Sequence, residues 1–299
     1  LQFIQKNNIQ CVGILDDAYP KLLKECTDAP ILLFYKGNLE LLNNHCLAVV
    51  GTRKISLYGE ETVTGLMNFL QQYQPTIVSG MAYGVDIAAY QEARKLHLPM
   101  VGIMGTSFKK LYPAVHRTFY NDLFENGLVL TEYAGFNTLA PELFTRRNRI
   151  IAGLCSATIV IESAETGGSL STAYFANDYA REVYAVPGKI TDVYSKGCLR
   201  LIHENRAQLL YNFEHLVTDL NWNVSTEPKK ETNVKKEINL KDFSALQQTI
   251  LKSLQNQSLH IDELALQTNL DMSVLNAELM MLELNEIIVG LPGKIFKLK

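Results

Sequence analysis

Between residues 45 and 186 short apolar runs alternate with longer stretches in which apolar positions recur every three to four residues. The runs lie at 47–50, 76–78, 100–104, 128–131, 157–161 and 183–186. Runs this short and this continuously apolar predict strands buried on both faces, as in a parallel sheet covered by helices. The intervening periodic stretches, 58–73, 85–96, 141–152 and 170–181, predict the covering helices. The alternation gives an α/β fold with a doubly wound, mostly parallel sheet over residues 45–223. Several runs end in small-residue turns: Gly51-Thr52, Ser79-Gly80, Gly105-Thr106 and Pro187-Gly188. In such sheets ligands bind beyond the carboxyl ends of the strands, so these turns are the place to look for chemistry.

The flanks differ. Residues 1–44 read as a preamble packed on the core, with a turn entering a helix at 16–23 and a strand at 31–35. Residues 224–242 (VSTEPKKETNVKKEINLKD) hold five Lys and four acids with few large apolar side chains, the composition of a solvated linker. Beyond it, helical patterns at 245–254, 261–268 and 273–285 precede two strand-like runs joined by Pro292-Gly293. Three helices closed by a hairpin predict a small winged helix-turn-helix domain over 243–299. Its third helix, SVLNAELMMLELN, has two Glu and no Lys or Arg. A recognition helix of that charge points to a protein-contact or regulatory role.

Composition narrows the classes. Hydrophobic residues make up 47% of the 299 and charged residues 20%, enough for a full core. No apolar run approaches the roughly 18 residues that span a membrane, and Leu1 to Gln10 shows no secretory pattern; a cytoplasmic location without membrane partners is expected. The five cysteines and six histidines are scattered without CxxC or HExxH spacing, so neither a disulfide framework nor a metal is expected. The net charge of −3 excludes a protein that coats nucleic acid by bulk positive charge. Residues 45–200 carry 14 Lys and Arg against 13 Asp and Glu, so placement rather than amount has to decide.

Four loops carry candidate chemistry. In VVGTRKIS (49–56) a glycine directly after a strand lets backbone N–H groups approach an anion, and Arg53 can fork onto a phosphate. With neither GxGxxG nor GxxxxGK[ST] present, the loop reads equally as an ordinary strand-to-helix turn with a solvated Arg. SGMAYGVD (79–86) permits close approach at Gly80 and Gly84, with Asp86 as a helix N-terminal acid. In FTRRNRIIA (144–152), Arg146 and Arg149 share a helix face while Arg147 points elsewhere, beside Phe144 for stacking. With only Glu142 as a nearby acid in sequence, phosphate contact is the better reading there than a salt-bridged helix. ESAETGGSLSTA (162–173) runs from a strand through a glycine pair into a helix, and the N–H groups of Gly168, Ser169 and Leu170 make an anion nest. Glu162 and Glu165 are a possible hydrolytic pair with no nucleophile fixed beside them, and no His stands ready to activate Ser169. His116, in YPAVH, reads as a structural hydrogen-bonding histidine rather than a base.

The ordered set GTRKISLYG (51–59), SGMAYGVD (79–86), YPAVH (112–116), TEY (131–133), FTRRNRIIAG (144–153), ESAETGGSLSTA (162–173), REVYAVPG (181–188) and SKGCLRLI (195–202) resembles the DNA-processing protein A family, DprA or Smf. Leu199 departs from that pattern, where Asn is more usual. The resemblance implies a Rossmann-like core that binds single-stranded DNA, dimerises, and loads the RecA recombinase during natural transformation, without catalysis, metal or cofactor. It implies a DNA- and phosphate-binding set of Gly51, Thr52, Arg53, Lys54, Ser79, Gly80, Arg146, Arg147, Asn148, Arg149, Gly167, Gly168 and Ser169. The competing readings are a nucleotide N-glycosidic hydrolase with Glu165 as acid, and a small-nucleotide sensor. Against the hydrolase, GGSLSTA has no Glu at the spacing of a PGGxGTxxE loop.

Overall fold

The computed structural model describes residues 2–135, 140–222, 243–254, 259–285, 287–291 and 294–298. The chain divides into two units, Leu1–Thr226 and Glu227–Lys299.

The first unit is built on a nine-stranded sheet: β1 (Gln10–Gly13), β2 (Leu32–Gly37), β3 (Cys46–Val50), β4 (Thr76–Ser79), β5 (Met100–Ile103), β6 (Leu128–Thr131), β7 (Ala157–Val160), β8 (Glu182–Ala185) and β9 (Gln208–Leu209). Their spatial order is β1-β2-β6-β5-β4-β3-β7-β8-β9. All neighbours from β6 to β9 are parallel, while β1–β2 and β2–β6 are antiparallel. From β3 the chain works outward through β4 and β5 to β6, then returns to place β7 on the other side of β3. This reversal leaves a crevice at the carboxyl ends of β3 and β7, the switch point at which doubly wound sheets bind ligands.

Alternate side chains of each central strand enter opposite layers. Leu47 and Val49 of β3 join α3 (Leu57–Leu70), α4 (Val85–Lys95), α5 (Arg117–Asn126) and α9 (Phe213–Asp219) on one face. Cys46, Ala48 and Val50 join α2 (Lys21–Lys24), α6 (Pro141–Leu154), α7 (Ser169–Asp178) and α8 (Lys196–His203) on the other. Double coverage explains the continuous apolar runs. In α3 the stripe Val63, Leu66, Met67 and Leu70 is fully buried. At about 1.5–3 kcal/mol per buried side chain, this outweighs the roughly 1 kcal/mol lost at each of Gly59 and Gly65.

The first 44 residues do more than lie on the core. After a one-turn helix α1 (Gln2–Lys6), β1 and β2 extend the sheet antiparallel, with Phe34 opposite Thr131 and Tyr35 opposite Leu130. Helices α5, α8 and α9 fall where the pattern gave no helix. In α5 only Tyr120 and Leu123 are buried, too few apolar positions to show a period. Among the described residues no helix is long and apolar enough to cross a membrane, and no His, Cys, Asp and Glu group could hold a metal ion.

The second unit is a winged helix: α10 (Ala245–Leu254), α11 (Ile261–Thr268), α12 (Met272–Leu284) and a sheet of β10 (Leu259–His260), β11 (Ile288–Leu291) and β12 (Ile295–Leu298) in order β10-β12-β11. The sheet has a third strand beyond the expected hairpin, because residues 259–260 pair with 295–296. His260 caps α11 in a reciprocal box with Glu263. Ile250, Leu254, Leu264, Leu275, Leu279 and Ile288 form its core. The expected linker at 224–242 and the Pro292-Gly293 turn lie outside the described residues.

Candidate functional site

The loop after β3 is held from three sides. Thr52 donates its N–H to the carbonyl of Glu162 (2.7 Å), and Val85 at the start of α4 donates to the carbonyl of Thr52 (3.1 Å). Ser56 caps α3, its Oγ accepting from the Gly59 N–H (3.2 Å). The Ser56 N–H and hydroxyl both donate to the Glu162 carboxylate, at 2.9 and 2.5 Å. Arg53 is left exposed at the apex of a loop whose backbone is fixed. Glu162 is only 4% exposed and fully engaged in this bracing, while Glu165 is exposed; the two do not form a hydrolytic pair.

Arg147 makes the floor. It is 5% exposed, donates from Nη1 to the carbonyls of Gly80 (2.6 Å) and Ile103, and donates from Nε to Asn148 Oδ1 (3.1 Å). It therefore ties the ends of β4 and β5 to α6. A side chain at position 80 would collide with this guanidinium, since a Cβ there would sit 2.4 Å from Nη1. Asp86 lies beneath, accepting from the Ala82 N–H at 3.1 Å. Burial pushes the Asp86 carboxyl above its ordinary range, and the Arg147 charge opposes that shift. Desolvation likewise lowers the Arg147 pKa, with Asp86 opposing. A guanidinium keeps its proton in proteins, so Arg147 is a buried cation in the lining of the site, where its field is less screened by water.

The far wall is the start of α7. The Leu170 N–H bonds back to Gly167 (3.1 Å), so the expected three-donor nest shrinks to two. Among the described residues, the N–H groups of Gly168 and Ser169 have no acceptor. Ser169 is buried and donates its hydroxyl to Ser163 (2.9 Å), which removes it as a nucleophile candidate. Asn148 spans from α6, its amide donating to Ser171 Oγ (2.9 Å) and the Gly168 carbonyl (3.2 Å).

These walls enclose an open pocket of about 530 Å³ at the β3/β7 switch point. Gly51, Thr52, Arg53, Arg147, Asn148, Gly167, Gly168 and Ser169 line it, with Asp86, Tyr112 and Phe144. Its volume falls in the range of small-ligand pockets. The Arg53 guanidinium stands over the Phe144 ring at 5.8 Å, and Tyr112 packs on Phe144 at 5.2 Å. Two helix N-termini, of α6 at Ala140-Pro141 and of α7 at Gly168-Ser169, border it and favour an anion by about 0.3–1 kcal/mol each.

Four expected contact residues do other work, and a fifth stands aside. Ser79 is buried and donates to the Val49 carbonyl (2.9 Å), and Gly80 supports Arg147. Arg149 is buried in an ion pair with Glu132 (2.5 Å) and also holds the Asp28 carbonyl. Arg146 pairs with the same Glu132 (3.5 Å) and lines a second groove with Asp28, Glu142 and Phe175. Arg146 and Arg149 do share a face, but the face is salt-bridged. Its acids, Glu132 and Asp28, are distant in sequence, so inspection of neighbours on the helix missed them. Lys54 is exposed beside the loop and outside the pocket lining. His116 is structural: buried, with Nδ1 2.9 Å from the Met81 carbonyl. Tyr112 is a lining residue that the loop chemistry does not single out; it comes from a loop distant in sequence from α6 and packs on Phe144.

Comparison with known proteins covers the same ground. The family model described as DNA recombination-mediator protein A matches residues 10–221, and that of the DprA winged helix domain matches residues 235–294. DNA processing protein DprA of Streptococcus pneumoniae is 42% identical over 192 residues, 64% of this chain and 68% of its own. That of Bacillus subtilis is 32% identical over 217 residues, 72% of this chain and 73% of its own. The X-ray structure of the S. pneumoniae protein aligns with a TM-score of 0.68 at 37% identity, over 73% of this chain and 77% of that one. A structure of DNA processing protein A from Helicobacter pylori, described for its single-stranded DNA binding mode, aligns with a TM-score of 0.64 at 26% identity, over 71% and 95%. Motifs, sheet and matches fall on the same residues, and the chain belongs to the DNA recombination-mediator protein A family, DprA/Smf.

Proposed function

We propose that this chain binds single-stranded DNA in the switch-point pocket, protects it, and delivers it to a RecA-type recombinase in the cytoplasm during transformation or recombination. The observation that carries the binding step is the exposed Arg53 resting on the Phe144 ring at one wall of a pocket with open N–H groups on its far wall. Arg53 and those donors suit phosphate oxygens, and the ring suits a base; together they suit a single strand better than a duplex, whose bases are stacked away. Family membership supports delivery to RecA and action as a homodimer, and the single-stranded DNA binding described for the H. pylori relative supports the ligand. Binding rather than bond cleavage fits the engagement of Glu162 with Ser56 and of Ser169 with Ser163.

Arg53→Glu is the direct test. A charged hydrogen bond of about 1.5–3 kcal/mol is lost, which corresponds to a roughly 10- to 100-fold weaker complex with oligo-dT in titrations. The salt slope should become shallower by about one unit. Since Arg53 is exposed, the melting curve should not move. Unchanged oligonucleotide affinity would remove the pocket from consideration. Release of free base from nucleoside monophosphates would favour the hydrolase instead. The delivery step is read separately, from whether the protein accelerates RecA-dependent strand exchange.

A further inference from the structure

Tyr83, in SGMAYGVD, is a large aromatic that the pocket does not use. It is 45% exposed, yet the loop carrying it is tightly held. On one side, Met81 is fully buried in a left-handed conformation (φ +59°), and the Ala82 N–H is bound by Asp86. On the other, Gly84 (φ +74°) packs its Cα against the carbonyl of Thr52 and the backbone of Arg53. Tyr83 is thus one residue, about 3.8 Å of chain, from the point of contact with the Arg53 loop. Its predecessor Ala82 lines the pocket. The ring makes a T-shaped contact with His116, 5.0 Å between centroids at 63°. His116 is itself fixed by the Met81 carbonyl and by Phe119, 5.6 Å away. A lone exposed tyrosine is ordinary. This one adjoins the backbone of the Arg53 loop through Gly84, and its half-exposed ring is packed against the buried His116.

We infer that Tyr83 is a second base-stacking subsite, which takes a nucleobase of the strand as it leaves the pocket over the Arg53 loop. The inference rests on the pocket reading above. The chemistry is that of a stacking platform beside a phosphate-binding cation: an aromatic face accepts any base, and a ring with two side-chain torsions, already packed on one side, loses little freedom on binding. The pocket then holds a short piece of strand, and Tyr83 adds to affinity only when the strand is long enough to reach it.

The test compares (dT)2 with (dT)12 in fluorescence anisotropy titrations of the full chain. Tyr83→Ala should weaken (dT)12 by about 5- to 50-fold and leave (dT)2 unchanged, as loss of one stacked base implies. Tyr83→Leu should behave like alanine, because it preserves an apolar side chain against His116 but offers no π-face. Tyr83→Phe should bind both oligonucleotides like the parent. If Tyr83→Ala and Tyr83→Leu bind (dT)12 as the parent does while Arg53→Glu is weakened, the subsite is wrong and the pocket stands. If Arg53→Glu also binds as the parent does, both fail together. A Tyr83→Leu variant with parental (dT)12 affinity beside a weakened Tyr83→Ala would indicate apolar backing alone and would equally overturn stacking.

Discussion

Replacing Arg147 by methionine is expected to lower the melting temperature by roughly 6–20 °C, the equivalent of about 3–5 kcal/mol in a unit of this size. The side chain length is kept, so the effect isolates the guanidinium. Without it the carbonyls of Gly80 and Ile103, at the ends of two neighbouring strands, lose their donor, and Asn148 loses one of its three hydrogen bonds. Asp86 loses the cation that opposes its desolvation. Each unpaired buried group carries its own desolvation cost, which is why the whole exceeds a single hydrogen bond of about 1 kcal/mol. A pH signature separates this from simple loss of packing. In the variant the folded-state pKa of Asp86 rises further above its unfolded value. A group of that kind contributes stability that is present at acid pH and is lost as pH rises through the folded pKa. The deficit of Arg147→Met should therefore shrink on acidification and return toward neutral pH. Adding Asp86→Asn should recover part of the loss and remove the pH dependence. A variant that melts within two or three degrees of the parent (less than about 1 kcal/mol) would show that the floor is held by means other than Arg147.

The same residue shows what was legible in the sequence and what was not. Burial on both faces makes strands such as Leu128–Thr131 continuous apolar runs, so the central sheet could be read directly. The edge strand Gln10–Gly13 buries only Val12, and helix Arg117–Asn126 only Tyr120 and Leu123; neither leaves a period to detect. The glycine turns pointed to the end of the sheet where the pocket lies, because a loop that must admit a ligand or a guanidinium needs small residues there. What could not be read was which arginine faces solvent. Arg146, Arg147 and Arg149 are near neighbours on one helix, but their partners come from residues 28, 80, 103 and 132. Helical spacing gives direction around the axis; only the tertiary packing supplies the acid or carbonyl that each direction meets. Arg53, on a loop braced by Glu162 from more than a hundred residues away, is left facing the pocket for the same reason.

That bracing makes Gly84 the second position of large effect. Its φ of +74° with ψ of −124° is a conformation that a side chain rarely adopts, and a Cβ built there would lie 2.2 Å from the Thr52 carbonyl oxygen. Both obstacles are backbone, so neither a rotamer change nor a flexible neighbour relieves them. Gly84→Ala should therefore cost about 1–3 kcal/mol in dihedral strain plus about 1–3 kcal/mol in displaced structure. A melting temperature lower by roughly 4–24 °C follows. The displaced structure is the Thr52-Arg53 loop, so oligo-dT affinity should fall with stability, by at least about tenfold if the Arg53 contact of about 1.5–3 kcal/mol is misplaced. Gly65→Ala provides the matched control. Position 65 lies within α3, and the nearest atom to a Cβ there is Phe213 Cε2 at an ordinary 3.4 Å. Helix propensity then makes alanine neutral to stabilising, by up to about 1 kcal/mol, with DNA binding unchanged. Equal melting curves for the two glycine variants, or a stable Gly84→Ala with parental affinity, would mean that the Arg53 loop does not depend on the turn beneath it. The opposite result, loss of both properties at 84 and neither at 65, would establish that Arg53 is positioned by backbone contact with α4 rather than by its own side-chain partners.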